Sequence, residues 1–161
     1  MVPENIVWHL IHGYFRKHGL VRHQIENFDS FLHVLLPTII QEMYPIRVKQ
    51  DEEEHCIALY NLSVKPPMMT GADGVERPLL PHMARMHNLT YASDCTVDVV
   101  HDIHRDGVHV ERRLFRETVL CSLPVMVGSQ ACHLRKVPSR FECKLDPGGY
   151  FIVNGNEKVV V

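Results

Sequence analysis

The amino-acid sequence predicts an α+β fold: N-terminal helices packed on a mainly antiparallel sheet. Three observations carry this. Apolar residues recur at helical spacing through residues 1–45. Runs rich in β-branched and aromatic residues, separated by turn signals, fill residues 55–161. The chain closes on DPGGYFIVNGNEKVVV, a hairpin signature whose last arm is apolar on both faces.

Ile6, Val7, Leu10, Ile11, Tyr14 and Phe15 lie on one helical face, with Asn5 as the expected cap and Gly19 as the stop. Ile25, Phe28, Phe31, Leu32, Leu35, Leu36, Ile39, Ile40 and Met43 continue the period. Asp29 or Ser30 is placed to cap a helix within this run, and Pro37 to break or kink it. The region reads as two or three packed helices.

Asp51-Glu52-Glu53-Glu54 reads as an acidic loop, followed by a strand over residues 55–64 that Pro66-Pro67 ends. Residues 70–74 form a turn. Residues 81–88 suit a short helix with Pro81 in its first turn. Residues 90–103 and 108–127 read as two strands around Asp106-Gly107, long enough to require a bulge or break. Residues 128–134 are a compact connector. In the closing stretch Gly148-Gly149 is turn material, and Asn154-Gly155 demands positive φ at both central positions of a type I′ turn. Val159, Val160 and Val161 then expect a partner strand, so the strand is expected to continue in a longer parent chain.

Composition bounds the function. Apolar residues at 45% and charged residues at 22% are ordinary for a globular domain. A net charge of -2 argues against a strongly basic nucleic-acid module while allowing a local basic patch. The start, MVPENIVWHL, lacks a basic n-region, and no apolar run approaches the roughly 20 residues of a membrane span. Five cysteines without a secretory signal read as reduced thiols in an intracellular setting.

Chemical constellations are sparse. Cys121, Cys132 and Cys143 invite a zinc reading, and His133 adjoins Cys132. Structural zinc ligands usually come in close C-x₂₋₄-C pairs, which are absent, so buried apolar cysteines are the better reading. His101, His104 and His109 gather around one hairpin turn, better read as solvated than as ligands without a third group and its supporting hydrogen bonds. Ser129 is not in G-x-S-x-G, and the glycines form neither a P-loop nor G-x-G-x-x-G. Carboxylates make no D-x-D cluster of the kind that holds Mg²⁺ ions. No catalytic residue and no metal site is read from these residues. A basic stripe remains: Arg105, Arg112, Arg113 and Arg116, then Arg135, Lys136, Arg140 and Lys144. It can track phosphates, or it can be a solvated sheet face balanced by Asp102, Asp106, Glu111 and Glu117.

Several stretches together resemble one family. LLPHMARMHNLTY at residues 79–91 resembles a block reading roughly P-x-E-A-R-x-R-N-L-T-Y. LPVMVGSQACHL at residues 123–134 resembles I-P-I-M-x-x-S-x-x-C-x-L. ECKLDPGGYFIVNGNEKVV at residues 142–160 resembles E-C-P-x-D-x-G-G-Y-F-I-I-N-G-S-E-K-V-I, and GLV at 19–21 with NFDSF at 27–31 fits the early helix. These are marks of the second-largest, β-type subunit of multi-subunit DNA-directed RNA polymerase, of the eukaryotic, archaeal and large-DNA-virus kind. The resemblance covers nearly the whole chain. It implies that residues 1–161 are the first half of the protrusion domain, incomplete until a later stretch of the subunit returns to it.

The chain also departs from the pattern. His82-Met83 stands where an acidic position is usual, and His87 where an arginine is, which argues against a fixed ion pair in this block. The loop after Val64 is short, and the acidic linker common before Leu123 is absent. The departures point to a divergent polymerase, such as that of a large DNA virus.

The resemblance implies a nucleotidyltransferase, RNA synthesis on DNA, with this segment forming a cleft wall near upstream DNA and the RNA–DNA hybrid. Mg²⁺ belongs to the whole polymerase, held by acids that lie mainly on the largest subunit, with no cofactor in this segment. Implied partners are the remaining β-subunit chain, the largest subunit, template DNA, the hybrid and initiation factors. The implied location is intracellular: the nucleus, or cytoplasm and virion for a virus. Lys158 is the first nucleic-acid-facing residue implied, with Arg135 and Lys136. Arg85, Gly148, Gly149, Asn154 and Gly155 are the structural motif, Arg85 tying helix to sheet, and Cys132 and Cys143 are core. A stand-alone zinc-binding or protein-interaction module is the rival reading. Extending the chain by its downstream half-domain is expected to raise solubility in a sedimentation assay, because an apolar edge at residues 159–161 would then be covered. Equal solubility would count against the incomplete-domain reading.

Overall fold

A computed structural model describes residues 4–136, 141–143 and 145–160. The helical region contains α1 (Glu4–His18), α2 (Arg22–Ser30), a π-helical turn (Phe31–Leu35) and α3 (Leu36–Met43). Gly19 ends α1 in the left-handed conformation, at φ +75°, with its N–H on the Phe15 carbonyl at 2.8 Å. Asn5 is not the cap, since α1 already includes Glu4.

Asp29 and Ser30 do not cap a helix either, because helical backbone runs through them into the π turn. Pro37 supplies the reason for that turn. It has no N–H to give the carbonyl one turn back, and its ring crowds that carbonyl. The backbone widens just before it, and the Leu36 N–H reaches the Phe31 carbonyl, five residues back.

The sheet begins earlier than expected, at β1 (Ile46–Gln50), not at residue 55. It continues with β2 (Glu53–Val64), a small ribbon of β3 (Met68–Thr70) and β4 (Glu76–Pro78), then α4 (Pro81–Met86), β5 (Ala92–Arg105) and β6 (Val108–Pro124). The acidic stretch therefore shrinks to a turn at Asp51-Glu52, with Glu53 and Glu54 paired across from Gln50 and Lys49. The strand order β1-β2-β5-β6 is antiparallel throughout, leaving β1 and β6 as edges. The long strands carry the bulges their length required. One lies between Tyr60 and Ser63, with Asn61 at φ +52°, and three register shifts lie between β5 and β6.

Short α5 (His133–Lys136) leads toward a closing ribbon of β7 (Phe151–Val153) and β8 (Asn156–Lys158), turned by Asn154 and Gly155 at φ +49° and +75°. Pairing stops at Lys158. Val159 and Val160 lie beyond the strand and are exposed, so the apolar second arm is not buried, and Val161 lies outside the described residues.

The core sits where the ribbon meets the rest of the chain. Leu79, Ala84, Tyr91, Val125, Val127, Cys132 and Ile152 form its main cluster. A second cluster joins Phe28 and Leu32 to Met126, with Val64, Leu123 and Phe151 against it. Through this second cluster the α2–π region packs on the strand ends. The apolar face of α1, including Trp8, Leu10 and Tyr14, is exposed among the described residues and is not packed as the helical period suggested. Cysteine burial also divides. Cys132 is core, beside the Tyr91 hydroxyl. Cys121 is exposed because it lies on the edge strand β6, and Cys143 is exposed on the irregular segment before the ribbon.

Two features lock the ribbon in place. Gly148 and Gly149 run against Val127, and the Gly149 N–H donates to the Val127 carbonyl at 2.9 Å. A Cβ on Gly148 would stand 2.5 Å from the Val127 carbonyl oxygen, and one on Gly149 would stand 2.8 Å from Val21 Cβ.

Arg85 supplies the second lock. From α4 its Nε donates to Glu157 at 2.8 Å, its Nη1 to Glu142 at 3.0 Å, and its Nη2 to the Tyr150 hydroxyl. Burial works against the guanidinium charge, but the hydrogen bonds to Glu142 and Glu157 and the charges around it raise its pKa above the ordinary arginine range. The block does carry fixed ion pairs, despite His87, because Arg85 makes them, with the His82 N–H also holding Glu142 at 2.6 Å.

Gly148→Ala is expected to lose about 2–4 kcal/mol in urea unfolding, combining left-handed strain with a backbone clash. Gly107→Ala, also at positive φ but with open space around it, should lose only about 1–2 kcal/mol. Arg85→Ala should lose about 3 kcal/mol by stranding the nearly buried Glu142 carboxylate. Pairing it with Glu142→Gln should recover part of that loss in a double-mutant cycle.

Candidate nucleic-acid interface

Phosphate can be held only by cations not already committed to carboxylates. Three of the sheet arginines, Arg105, Arg112 and Arg113, are committed. Arg112, across from Asp102 in the register, grips it with both Nε and Nη2 at 2.7 and 3.0 Å. Arg113 grips Glu111 in the same two-pronged way at 2.7 and 2.9 Å, and Arg105 pairs with Glu53. Hydrogen bonds from Arg112, with His109 adding, hold the Asp102 carboxyl down at about 2. Arg116 makes no ion pair with another described residue, and Glu117 is taken by Lys65 at 3.2 Å. Three of the four arginines over residues 105–116 are thus balanced on a solvated face. Arg140 and Lys144 lie outside the described residues.

The histidines pair among themselves. His55 Nδ1 lies 3.0 Å from His101 Nε2, and the His104 and His109 rings meet edge to face with centroids 5.3 Å apart. Among the described residues, no three His, Cys, Asp or Glu side chains converge as a metal site would require. Cys121, Cys132 and Cys143 stand on a strand, a connector and a loop and are not brought together.

Two of the candidate cations, Arg135 and Lys158, border α2. Asp29 is buried there. It accepts the Gln130 N–H at 2.9 Å, joining α2 to the connector, and Arg135 Nη1 approaches its other oxygen at 3.9 Å. That distance is loose for an ion pair, and the Arg135 side chain is 54% exposed. A cleft of about 670 Å³ opens alongside, lined by His18, Arg22, His33 and Arg135 with the acids Glu26 and Asp29. Arg22 is held by Glu26 at 2.6 Å, which leaves Arg135 as the more available cation of the cleft. Lys136 ends α5, and its side chain lies outside the described residues.

Lys158 lies on a different element but borders the same helix. It pairs in register with Phe151, whose ring packs edge-on against Phe28 of α2 at 5.4 Å. Adjacent strand residues face opposite ways, so Glu157 turns to Arg85 and Lys158 to the other side. Lys158 is exposed and makes no ion pair with another described residue.

The structure brings Arg135 and Lys136 onto one short helix, and joins Lys158 to them only through α2. Gly148 and Gly149 anchor the start of the ribbon and Asn154 and Gly155 its turn, while Arg85 bonds to Tyr150 and Glu157. Asn154 accepts a hydrogen bond from Thr90 and donates one back to it, and Gly155 donates to the Leu89 carbonyl at 3.0 Å. Sequence reasoning missed Asp29 as the link beneath Arg135, because its partner is 101 residues away along the chain. The only local signal was an acid placed where a helix interior proved to be.

Comparison with known proteins places these residues in a family. The model of the RNA polymerase beta subunit family matches residues 19–161. The chain is 32% identical to the DNA-directed RNA polymerase II subunit 2 of Arabidopsis thaliana, over 99% of this chain and 15% of that protein. It is 34% identical to the DNA-directed RNA polymerase subunit Rpo2N of Methanocaldococcus jannaschii, over 97% of this chain and 32% of that one. It is 31% identical to a probable DNA-directed RNA polymerase II subunit RPB2 homolog of Invertebrate iridescent virus 6, over 94% of this chain and 15% of that protein. The chain thus spans less than a third of the length of these relatives. It belongs to the RNA polymerase beta subunit family, the second-largest subunit of DNA-directed RNA polymerase.

Proposed function

We propose that this chain forms the N-terminal part of the second-largest polymerase subunit. In this reading it serves DNA-templated RNA synthesis as one wall of the cleft that holds upstream DNA and the RNA–DNA hybrid. The observation that carries the reading is Lys158: an exposed cation without an ion pair among the described residues, on a ribbon that Arg85 and two glycines hold rigid. Arg135, loosely paired, flanks α2 from the other side, and Lys136 follows it on the same short helix. A wall of this kind positions nucleic acid and performs no bond chemistry itself. Contacts from lysine and arginine to phosphate are independent of sequence, as a polymerase moving along a template requires.

The described residues offer no carboxylate set for Mg²⁺. The metal is assigned to the whole enzyme. The partners of this reading are the remainder of the subunit, the largest subunit, template DNA, the hybrid and initiation factors. Its setting is the nucleus, or the cytoplasm and virion for a virus. No helix of the described residues is long and apolar enough to cross a membrane.

The test is the salt dependence of nucleic-acid binding by assembled polymerase carrying Lys158→Gln or Arg135→Gln. Each is expected to lower the slope of log affinity against log salt by about 1, equally on unrelated templates. Arg113→Gln, which removes a cation already committed to Glu111, should leave the slope unchanged. If the first two variants also leave it unchanged, neither side chain faces phosphate.

A further inference from the structure

We propose that Cys95 and Cys121 form a redox-modification site, a cross-strand thiol pair that a peroxide-class oxidant converts to a reversible disulfide. This inference is independent of the nucleic-acid reading. The register of β5 and β6 sets the two residues directly opposite one another, so their side chains leave the sheet on the same face. Directly opposed residues of antiparallel strands have Cα atoms about 4.5 or 5.5 Å apart, depending on the type of pair. Both values fall within the roughly 4.4–6.8 Å that a disulfide spans. Both thiols are free, and the register alone sets them opposite one another.

The exposure of the pair divides the labour. Cys121 is exposed on the sheet's outer strand, while Cys95 is fully buried on the inner one. Burial first, and then the adjacent Cys121 thiol, push Cys95 up to about 11. Cys121 therefore meets the oxidant first. Its thiolate sulfur attacks one peroxide oxygen, the O–O bond breaks, and a sulfenic acid forms while the departing hydroxide takes a proton to become water. Cys95 sulfur then attacks the Cys121 sulfur. The S–S bond forms, the S–O bond breaks, and the hydroxide leaves with the Cys95 proton as a second water. The two thiols together lose two electrons, and the peroxide is reduced to two waters. A dithiol reductant restores both thiols by exchange.

The position gives the bond a consequence. The register shifts immediately after this pair, between Cys95 and Thr96, and Leu120 is the β6 residue left without a counterpart. On β2, Val64 lies opposite Cys95 and packs against the second core cluster. A disulfide here would fix the bulge and tie the edge strand to the side of the sheet on which α2 packs. In a reducing compartment such a bond is transient, formed under oxidative challenge.

The test is peptide mapping by mass spectrometry of the full chain, treated with hydrogen peroxide, blocked with an alkylating agent and digested without reductant. The expected product is a linked pair of peptides containing Cys95 and Cys121, lighter by two hydrogens than the separate thiols and released by dithiothreitol. Cys121→Ser and Cys95→Ser should each abolish it, and Cys143→Ser should leave it intact. Because the wild-type map alone decides the matter, a variant that fails to fold does not obscure the result. Recovery of Cys95 as an alkylated free thiol while Cys121 is over-oxidised, or linkage of Cys121 to Cys143, would overturn the proposal.

Discussion

Backbone contact between three distant segments is the constraint on which the rest of this structure depends. Residues 88–91, 125–128 and 148–155 lie side by side and exchange main-chain hydrogen bonds. The Val127 N–H donates to the Tyr150 carbonyl at 2.8 Å, Tyr91 to Ile152 at 2.9 Å and Val125 to Tyr91 at 2.9 Å. The approach is close enough to exclude side chains at Gly148 and at Gly155, where a Cβ would meet Asn88 Cα at 2.9 Å. The side chains that this lattice encloses, Tyr91, Val125 and Ile152, are fully buried. Buried peptide groups must find partners, and here they find them in one another.

Arg85 works on the outside of the same junction. Its three donor nitrogens reach β8, the loop before the ribbon and the Tyr150 hydroxyl. The ribbon is therefore held by main-chain bonds on its inner side and by a branched ion pair at its margin. A lysine could not substitute, since a single ammonium cannot present the planar fork that satisfies separated acceptors. The same arrangement decides where Lys158 points, because strand alternation sends it away from the side chain that Arg85 captures.

The long four-stranded sheet follows a different logic. Its outer strand is exposed on both faces until its last residues, and Arg105, Arg112 and Arg113 are matched to carboxylates across and along the strands. Charge that looks like a phosphate track in one dimension is neutralised in three. Beside α2, by contrast, Arg135 has only a distant acid and Lys158 has none among the described residues.

The sequence by itself determined the features set by local backbone preference. Gly19, Asp106-Gly107 and Asn154-Gly155 each impose positive φ, and each marks the expected stop or turn. Pro81 opens α4, and Pro37 forces the helical backbone to widen before it. The family was legible too, because its blocks keep these same residues together. Only the tertiary structure decided what the charged and thiol side chains do. Asp29 read as a helix cap and is a buried link to Gln130. Cys143 read as core and is exposed. Strand β1, with little more than Ile46 and Val48 to signal it, becomes a strand by pairing with β2. The physical reason is range. Turn and helix signals act over a few residues, whereas a hydrogen bond or ion pair depends on which remote groups the folded chain delivers to the same place.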